Sequence, residues 1–143
     1  MLIKHVKDID VEDEYIIVEK EESLYEVARK MEAAERGDVE HDEIMVHPIL
    51  AAYVMEEGSP IGFIDRDLII EETILKGKNA KQIKAKDVMK KPLCCNVNDT
   101  TRDVVNLIID NGILSVAVCD GDQLVSVISV YDAVFLNETL NEF

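Results

Sequence analysis

Tryptophan is missing from this chain, and three phenylalanines and four tyrosines are its only aromatic residues. A core built from such a sequence is aliphatic, made of valine, isoleucine, leucine and methionine. Cysteine is nearly as scarce. Three cysteines make no even-numbered disulfide framework and no CxxC pair. Two of them, Cys94 and Cys95, are neighbours. Neighbours on a strand point to opposite faces, so they read as small buried hydrophobes rather than as a shared metal site. The six glycines are scattered singly, as turn and cap punctuation, and none opens a phosphate-cradling loop. No GxSxG, HExxH or Ser-x-x-Lys pattern occurs, and the chain reads as non-catalytic. Basic residues are half as numerous as acidic ones, 15 against 30, for a net charge of −15. That field repels nucleic-acid backbones and anionic membrane surfaces, so neither is an expected partner. Apolar runs such as residues 107–109 and 113–119 are far shorter than the roughly 20 residues of a membrane span. The opening MLIKHVKDID is charged from its fourth residue and lacks a signal-peptide apolar stretch. Cytoplasmic residence is the expectation.

What is present is a globular composition, 48% apolar and 31% charged. The 143 residues fit one globule or two half-sized units. Units of about 60 to 70 residues are marginal alone, because they bury too little of their surface. The second half is the clearer one. AKDVM predicts a short helical turn, stopped by Lys90, Lys91 and Pro92. LCCNV predicts a strand, and Asn98-Asp99-Thr100 offers a helix cap with Asp99 best placed. Val104, Val105, Leu107, Ile108 and Ile109 give the helix its apolar face, and Asn111-Gly112 ends it. ILSVAVCD and residues 124–129 then form a hairpin across Asp120-Gly121, and a helix over 130–140 closes the unit.

The first half repeats that order. YIIV is its first strand, and Ser23 caps a helix with Glu26 completing a capping box. Residues 49–55 and 61–64 flank the turn Glu57-Gly58-Ser59-Pro60, and a helix over 68–75 ends at Gly77. Glu22-Ser23 aligns with Asp99-Thr100, Val27 with Val104, and Met31 with Ile108. Such self-similarity predicts an α+β fold of two pseudo-symmetric βαββα repeats, residues 1–77 and 78–143. The first repeat carries an acidic insertion over about 35–47, read as a surface loop or helix extension, and residues 76–84 form the linker. His41 and His47 in the insertion, and Asp10, Glu12, Asp13 and Glu14 near the start, lack the spacing of a metal site and read as solvated.

These residues resemble CBS domains in tandem, the arrangement called a Bateman module. The second copy carries the resemblance in AKDVM-KKP, in NDTTRDVVNLI, and in ILSVAVCDGDQLVSVISVYDAV, which includes Ser126-Val127-Ile128-Ser129-Val130-Tyr131-Asp132. The first shows the same frame in EESLYEVARKM and PIGFIDRDLI, with its Ser/Thr position missing and one residue deleted between Ile64 and Asp67. The resemblance implies two clefts between the copies that take adenosine-containing ligands. There Asp132 would accept hydrogen bonds from ribose hydroxyls, Ser129 would donate to phosphate, and Tyr131 would pack against the cleft. Asp67, with Arg66, is the counterpart in the other cleft, and Lys90 and Lys91 supply cationic charge. Two positions depart from the family pattern: Ser115 replaces a proline, and Ser126 replaces a glycine, where its side chain would narrow the approach of a nucleotide.

Only four arginines oppose the acidic field, so AMP or S-adenosylmethionine is easier to hold than ATP. No cofactor is required. The expected function is a sensor that binds such a ligand and controls self-association or a target protein. A scaffold that keeps the fold for dimerisation without a ligand is the alternative. A homodimer is expected either way, to cover Leu68, Ile69, Ile70 and Ile74, or Ala133, Val134, Leu136 and Leu140.

Overall fold

The computed structural model describes residues 15–37 and 49–130, together with Asp132. The short β-branched run YIIV forms β1 (Tyr15–Val18), and helix α1 (Leu24–Gly37) follows it. Next come β2 (Ala51–Glu56), β3 (Ser59–Asp65) and α2 (Arg66–Ile70), which runs on into a π-helical turn, Glu71–Leu75. Strand β1 pairs parallel with β2, and β2 pairs antiparallel with β3. The central strand β2 is apolar in AAYV, as a strand covered on both faces should be. Val18, Leu24, Val27, Met31, Ala52, Val54, Ile64 and Leu68 pack as one aliphatic core between this sheet and its helices. Leu68 therefore belongs to the core rather than to an outward face. Ile70, Ile74 and Leu75 are the exposed ones, at 44%, 76% and 74%.

After α3 (Ala85–Val88), the second unit repeats the plan with β4 (Cys94–Asn96), α4 (Thr101–Asn111), β5 (Ser115–Asp120) and β6 (Gln123–Ser129). Its sheet has the order β4-β5-β6, with the same parallel and antiparallel pairings as the first. Cys95, Val104, Val105, Ile108, Val116, Val118 and Ile128 form its core. The two hairpins have strands of six and seven residues each, and the register slips at matching points, Val54/Met55 and Val118/Cys119. In the first hairpin the turn is Glu57-Gly58 alone, with φ of 52° and 81°. That is the doubly left-handed turn that a two-residue hairpin favours. Ser59 and Pro60 thus belong to β3, whose place at the sheet edge tolerates a proline.

The helix entries repeat bond for bond. Glu22 accepts from the Glu19 N–H at 2.7 Å, as Asp99 accepts from the Asn96 N–H at 2.8 Å. Ser23 Oγ accepts from the Glu26 N–H at 3.1 Å, as Thr100 Oγ1 accepts from the Asp103 N–H at 3.2 Å. The cap of α4 is therefore Thr100, and Asp99 instead closes the preceding turn. Thr100→Ala is expected to destabilise the second unit by about 1 kcal/mol, the usual cost of a lost N-cap, read from urea unfolding midpoints.

The segment after Gly77 is bound to the first unit. Ala85 N–H donates to Glu22 O at 2.8 Å, Leu24 N–H to Ile83 O at 2.9 Å, and Lys86 N–H to Lys20 O at 3.0 Å. Lys90 and Phe63 exchange two backbone bonds, of 2.9 and 3.0 Å. By packing, the first compact unit runs over Glu14–Pro92 and the other sheet's unit begins at Leu93. A repeat boundary drawn by chain order at 77/78 and a packing boundary after Pro92 are different quantities. The first marks where the duplicated pattern restarts, and the second where contacts change sides. The insertion over 35–47 begins inside α1, as a helix extension through Gly37. Its remainder, with His41 and His47, lies outside the described residues, as do Asp10, Glu12, Asp13, Glu14 and the helix expected over 133–140.

Charge reinforces the bound segment. Glu21 accepts from Lys84 Nζ and Lys86 Nζ, each at 2.8 Å, and these bonds hold its carboxyl down to about 2 from 4.5. A depressed acid contributes stability above its unfolded value and loses it as the pH falls through the folded one. Thermal melts of the wild type and Glu21→Gln should thus differ at neutral pH and converge as the pH falls from 4.5 toward about 2. The three side chains are exposed, so the difference is small and shrinks with added salt.

Candidate functional site

Strand β6 ends at Ser129, which is 1% exposed and pairs with Ser115 across the sheet. Val130 is helical, and its N–H donates to Leu114 O at 2.7 Å. Ser129 and Asp132 then bond reciprocally. Asp132 Oδ2 accepts from the Ser129 N–H at 2.9 Å and from Ser129 Oγ at 3.1 Å, and the Asp132 N–H donates back to Ser129 Oγ at 3.2 Å. This is a capping box written with serine and aspartate. Both bonds that Asp132 accepts from described residues fall on Oδ2, and among the described residues Oδ1 accepts none. Tyr131 lies outside the described residues.

The first unit differs at the matching place. Ala51 pairs with Asp65 where Ser115 pairs with Ser129. Strands of equal length leave no gap, so nothing is deleted between Ile64 and Asp67, and Asp65 stands where Ser129 stands. Asp65 caps α2, its Oδ1 accepting from the Leu68 N–H at 2.7 Å, and Lys90 Nζ lies 3.9 Å from its Oδ2. The counterpart of Asp132 is then Leu68, which is buried in the core, while exposed Asp67 falls one position earlier. Sequence reasoning missed Asp65. Counting from glycine would have found it, because Gly62-Phe63-Ile64-Asp65 matches Ser126-Val127-Ile128-Ser129 residue for residue.

Arg66 is a brace. Its guanidinium pairs with Glu35 of α1 and its Nε donates to Ile49 O at 3.2 Å, while Glu35 also accepts from the Ile49 N–H at 2.8 Å. It borders a cavity of about 150 Å³ between α1 and α2, shared with Ala28, Met31, Ile69 and Ile70. Lys90 carries the backbone bridge to Phe63, and Lys91 is exposed. Ser126 pairs with Val118 and lies on the same sheet face as Ile128, so it faces the core side of the sheet. The structure thus gathers Ser129 with Asp132, and Lys90 with Asp65, while Arg66 and Asp67 serve neither pair. No helix among the described residues is long and apolar enough to cross a membrane.

Residues 85–136 match the family model of the CBS domain. An uncharacterized protein of Methanopyrus kandleri is 32% identical over 82 residues, which are 55% of this chain and 41% of that protein. The chain thus accounts for less than half the length of this relative. The hexameric CBS-CP12 protein from bloom-forming cyanobacteria superposes with a TM-score of 0.72 at 17% identity, over 98% of this chain and 75% of that one. The cytosolic domain of the Mg2+ channel MgtE, solved in complex with ATP, superposes with a TM-score of 0.65 at 20% identity, over 86% of this chain and 45% of that one. At such identities the structures speak for the fold alone. Residues 85–136 thus match the CBS domain, and the two three-stranded sheets of matching topology give the chain the fold of the CBS-domain structures it superposes on.

Proposed function

We propose that this chain is a non-catalytic regulatory module of the cytoplasm that binds an adenosyl ligand at the β6 end of its second repeat. The observation that supports this most directly is the Asp132 carboxylate, with Oδ2 engaged in the helix cap and Oδ1 without a partner among the described residues. An ionised carboxylate is acceptor-only and suits a ribose diol. The Ser129 hydroxyl already donates to Asp132, so the ribose diol rather than a phosphate is the group this end recognises. The solved relative of the same fold that carries ATP lends further support. A net charge of −15 favours AMP or S-adenosylmethionine over ATP. The first repeat has aspartate at the serine position and leucine at the aspartate position, so the second repeat is the ligand-binding one.

Binding would act through self-association or a protein target, since a ligand shifts an equilibrium only by its unequal affinity for the two states. The exposed Ile70, Ile74 and Leu75 are the surface that a homodimer would cover. That same surface, with the altered first repeat, favours the second reading, a dimerisation scaffold without a ligand. Titration calorimetry with AMP, S-adenosylmethionine and ATP separates the two. Heat with at least one supports the sensor, and no heat with any of them leaves the scaffold.

A further inference from the structure

The second sheet carries a thiol pair that the first lacks. Strand β4 runs parallel to β5 with Cys94 opposite Ala117 and Asn96 opposite Cys119. Alternation along the strands therefore puts Cys94 and Cys119 on one face, on neighbouring strands. Cys95, between them in register, points to the opposite face and packs in the core. Cys94 is exposed and Cys119 is buried, and the two thiols are close enough to influence each other. In the first sheet the matching places are Ile17 and Met55, fixed by the same pairings of β1 with β2 and β3. One apolar pair of the duplicated frame has thus become a dithiol. Among the described residues no group of three or more histidine, cysteine or acidic side chains converges, so two thiols are what this place offers.

The geometry points to an oxidative modification site: Cys94 and Cys119 form a reversible disulfide when the protein meets hydrogen peroxide. The exposed Cys94 thiolate attacks one peroxide oxygen, an S–O bond forms, the O–O bond breaks, and hydroxide leaves to become water. Cys119 sulfur then attacks the resulting sulfenic acid. The S–S bond forms as the S–O bond breaks, and the departing hydroxide takes the Cys119 proton as a second water. Two thiols lose two electrons and peroxide gains them. Cys119 alone is a poor nucleophile, because burial first, and then the neighbouring Cys94, pushes its thiol up to about 11. The sulfenic acid at Cys94 presents an electrophilic sulfur on the same sheet face, which is the step Cys119 is placed for. Diagonal positions on adjacent strands lie about 7–8 Å apart, slightly beyond the usual span of a disulfide. Closure therefore needs a small approach of β4 and β5. A bridge held under such strain is readily reduced.

The test uses the full chain, reduced, treated with hydrogen peroxide, quenched with N-ethylmaleimide and mapped by mass spectrometry. The expected result is a loss of about 2 Da, a linked Cys94–Cys119 peptide, one alkylated thiol at Cys95, and reversal by dithiothreitol. Cys95→Ser should behave as the wild type, and Cys94→Ser should lose no mass. A Cys94–Cys95 link, a bridge between two chains, over-oxidised Cys94 beside an alkylated Cys119, or three alkylated thiols throughout would each overturn the assignment. The wild-type map needs no variant, so a misfolded Cys119→Ser would not obscure the result.

Discussion

Replacing Gly62 with alanine is expected to destabilise the first unit by about 1–3 kcal/mol, the range for forcing extra volume into a packed site. A β-carbon there would lie 2.6 Å from Met89 Cγ and 2.8 Å from Met89 Cβ, with Sδ closer still. Met89 cannot simply swing its tip aside, because the collision reaches its own Cβ. Its main chain is held too: the Met89 N–H donates to Ala85 O, and the next residue exchanges two backbone bonds with Phe63. The strain therefore passes to the segment that ties α3 to β3. Gly62 is needed for the space it leaves, not for its backbone freedom, since it has no positive φ. Adding Met89→Ala to Gly62→Ala should recover much of the loss, and this coupling is the measurable signature of a shared site. Denaturant melts of the two single variants and the double variant give it directly. Equal and additive losses would remove Met89 as the cause.

Much of this architecture was legible in the residues. Period-two strands, capped helices and turn glycines are local signals, and β1, the two hairpins and α4 appear where those signals lie. Duplication was legible for the same reason, because Ser23 and Thr100 start their helices with identical bonds. What the sequence hid was non-local. That residues 83–90 belong with the first unit depends on backbone bonds of Ile83 and Ala85 with the entry of α1 and of Lys90 with Phe63 in β3, and main-chain bonds leave no trace in composition. The register that equates Asp65 with Ser129 is hidden because the first repeat has a carboxylate where the second has a hydroxyl. A carboxylate caps a helix as well as a hydroxyl does, so the structural role survived while the chemistry changed. The slip from α2 into a π-helical turn was also invisible. There the Thr73 hydroxyl donates back to Ile69 O at 2.6 Å, and Ile74 and Leu75 emerge into solvent.

The same logic explains why the two ends of the sheets diverge in function under the proposed reading. Asp65 both caps α2 and lies beside Lys90, so its charge is committed within the unit. Ser129 and Asp132 divide the work, the serine taking the cap and the aspartate keeping one oxygen outside it.

Asp132→Ala should therefore have two separable consequences. Without ligand it removes the acceptor for the Ser129 N–H and hydroxyl, at a cost of about 1 kcal/mol by analogy with other helix caps. With an adenosyl ligand at about 100 times its dissociation constant, the wild type gains about 2.7 kcal/mol by mass action, and the variant gains none. Asp132→Asn divides these effects. Its amide oxygen can still accept from Ser129, so the unliganded protein keeps most of its stability. The group is no longer acceptor-only, however, and offers a ribose diol one acceptor and one donor. Thermal melts with and without ligand should then show Asn near the wild type when empty and near Ala when ligand is present. A full ligand-induced shift in both variants would place the adenosyl site elsewhere and leave Asp132 a helix cap alone.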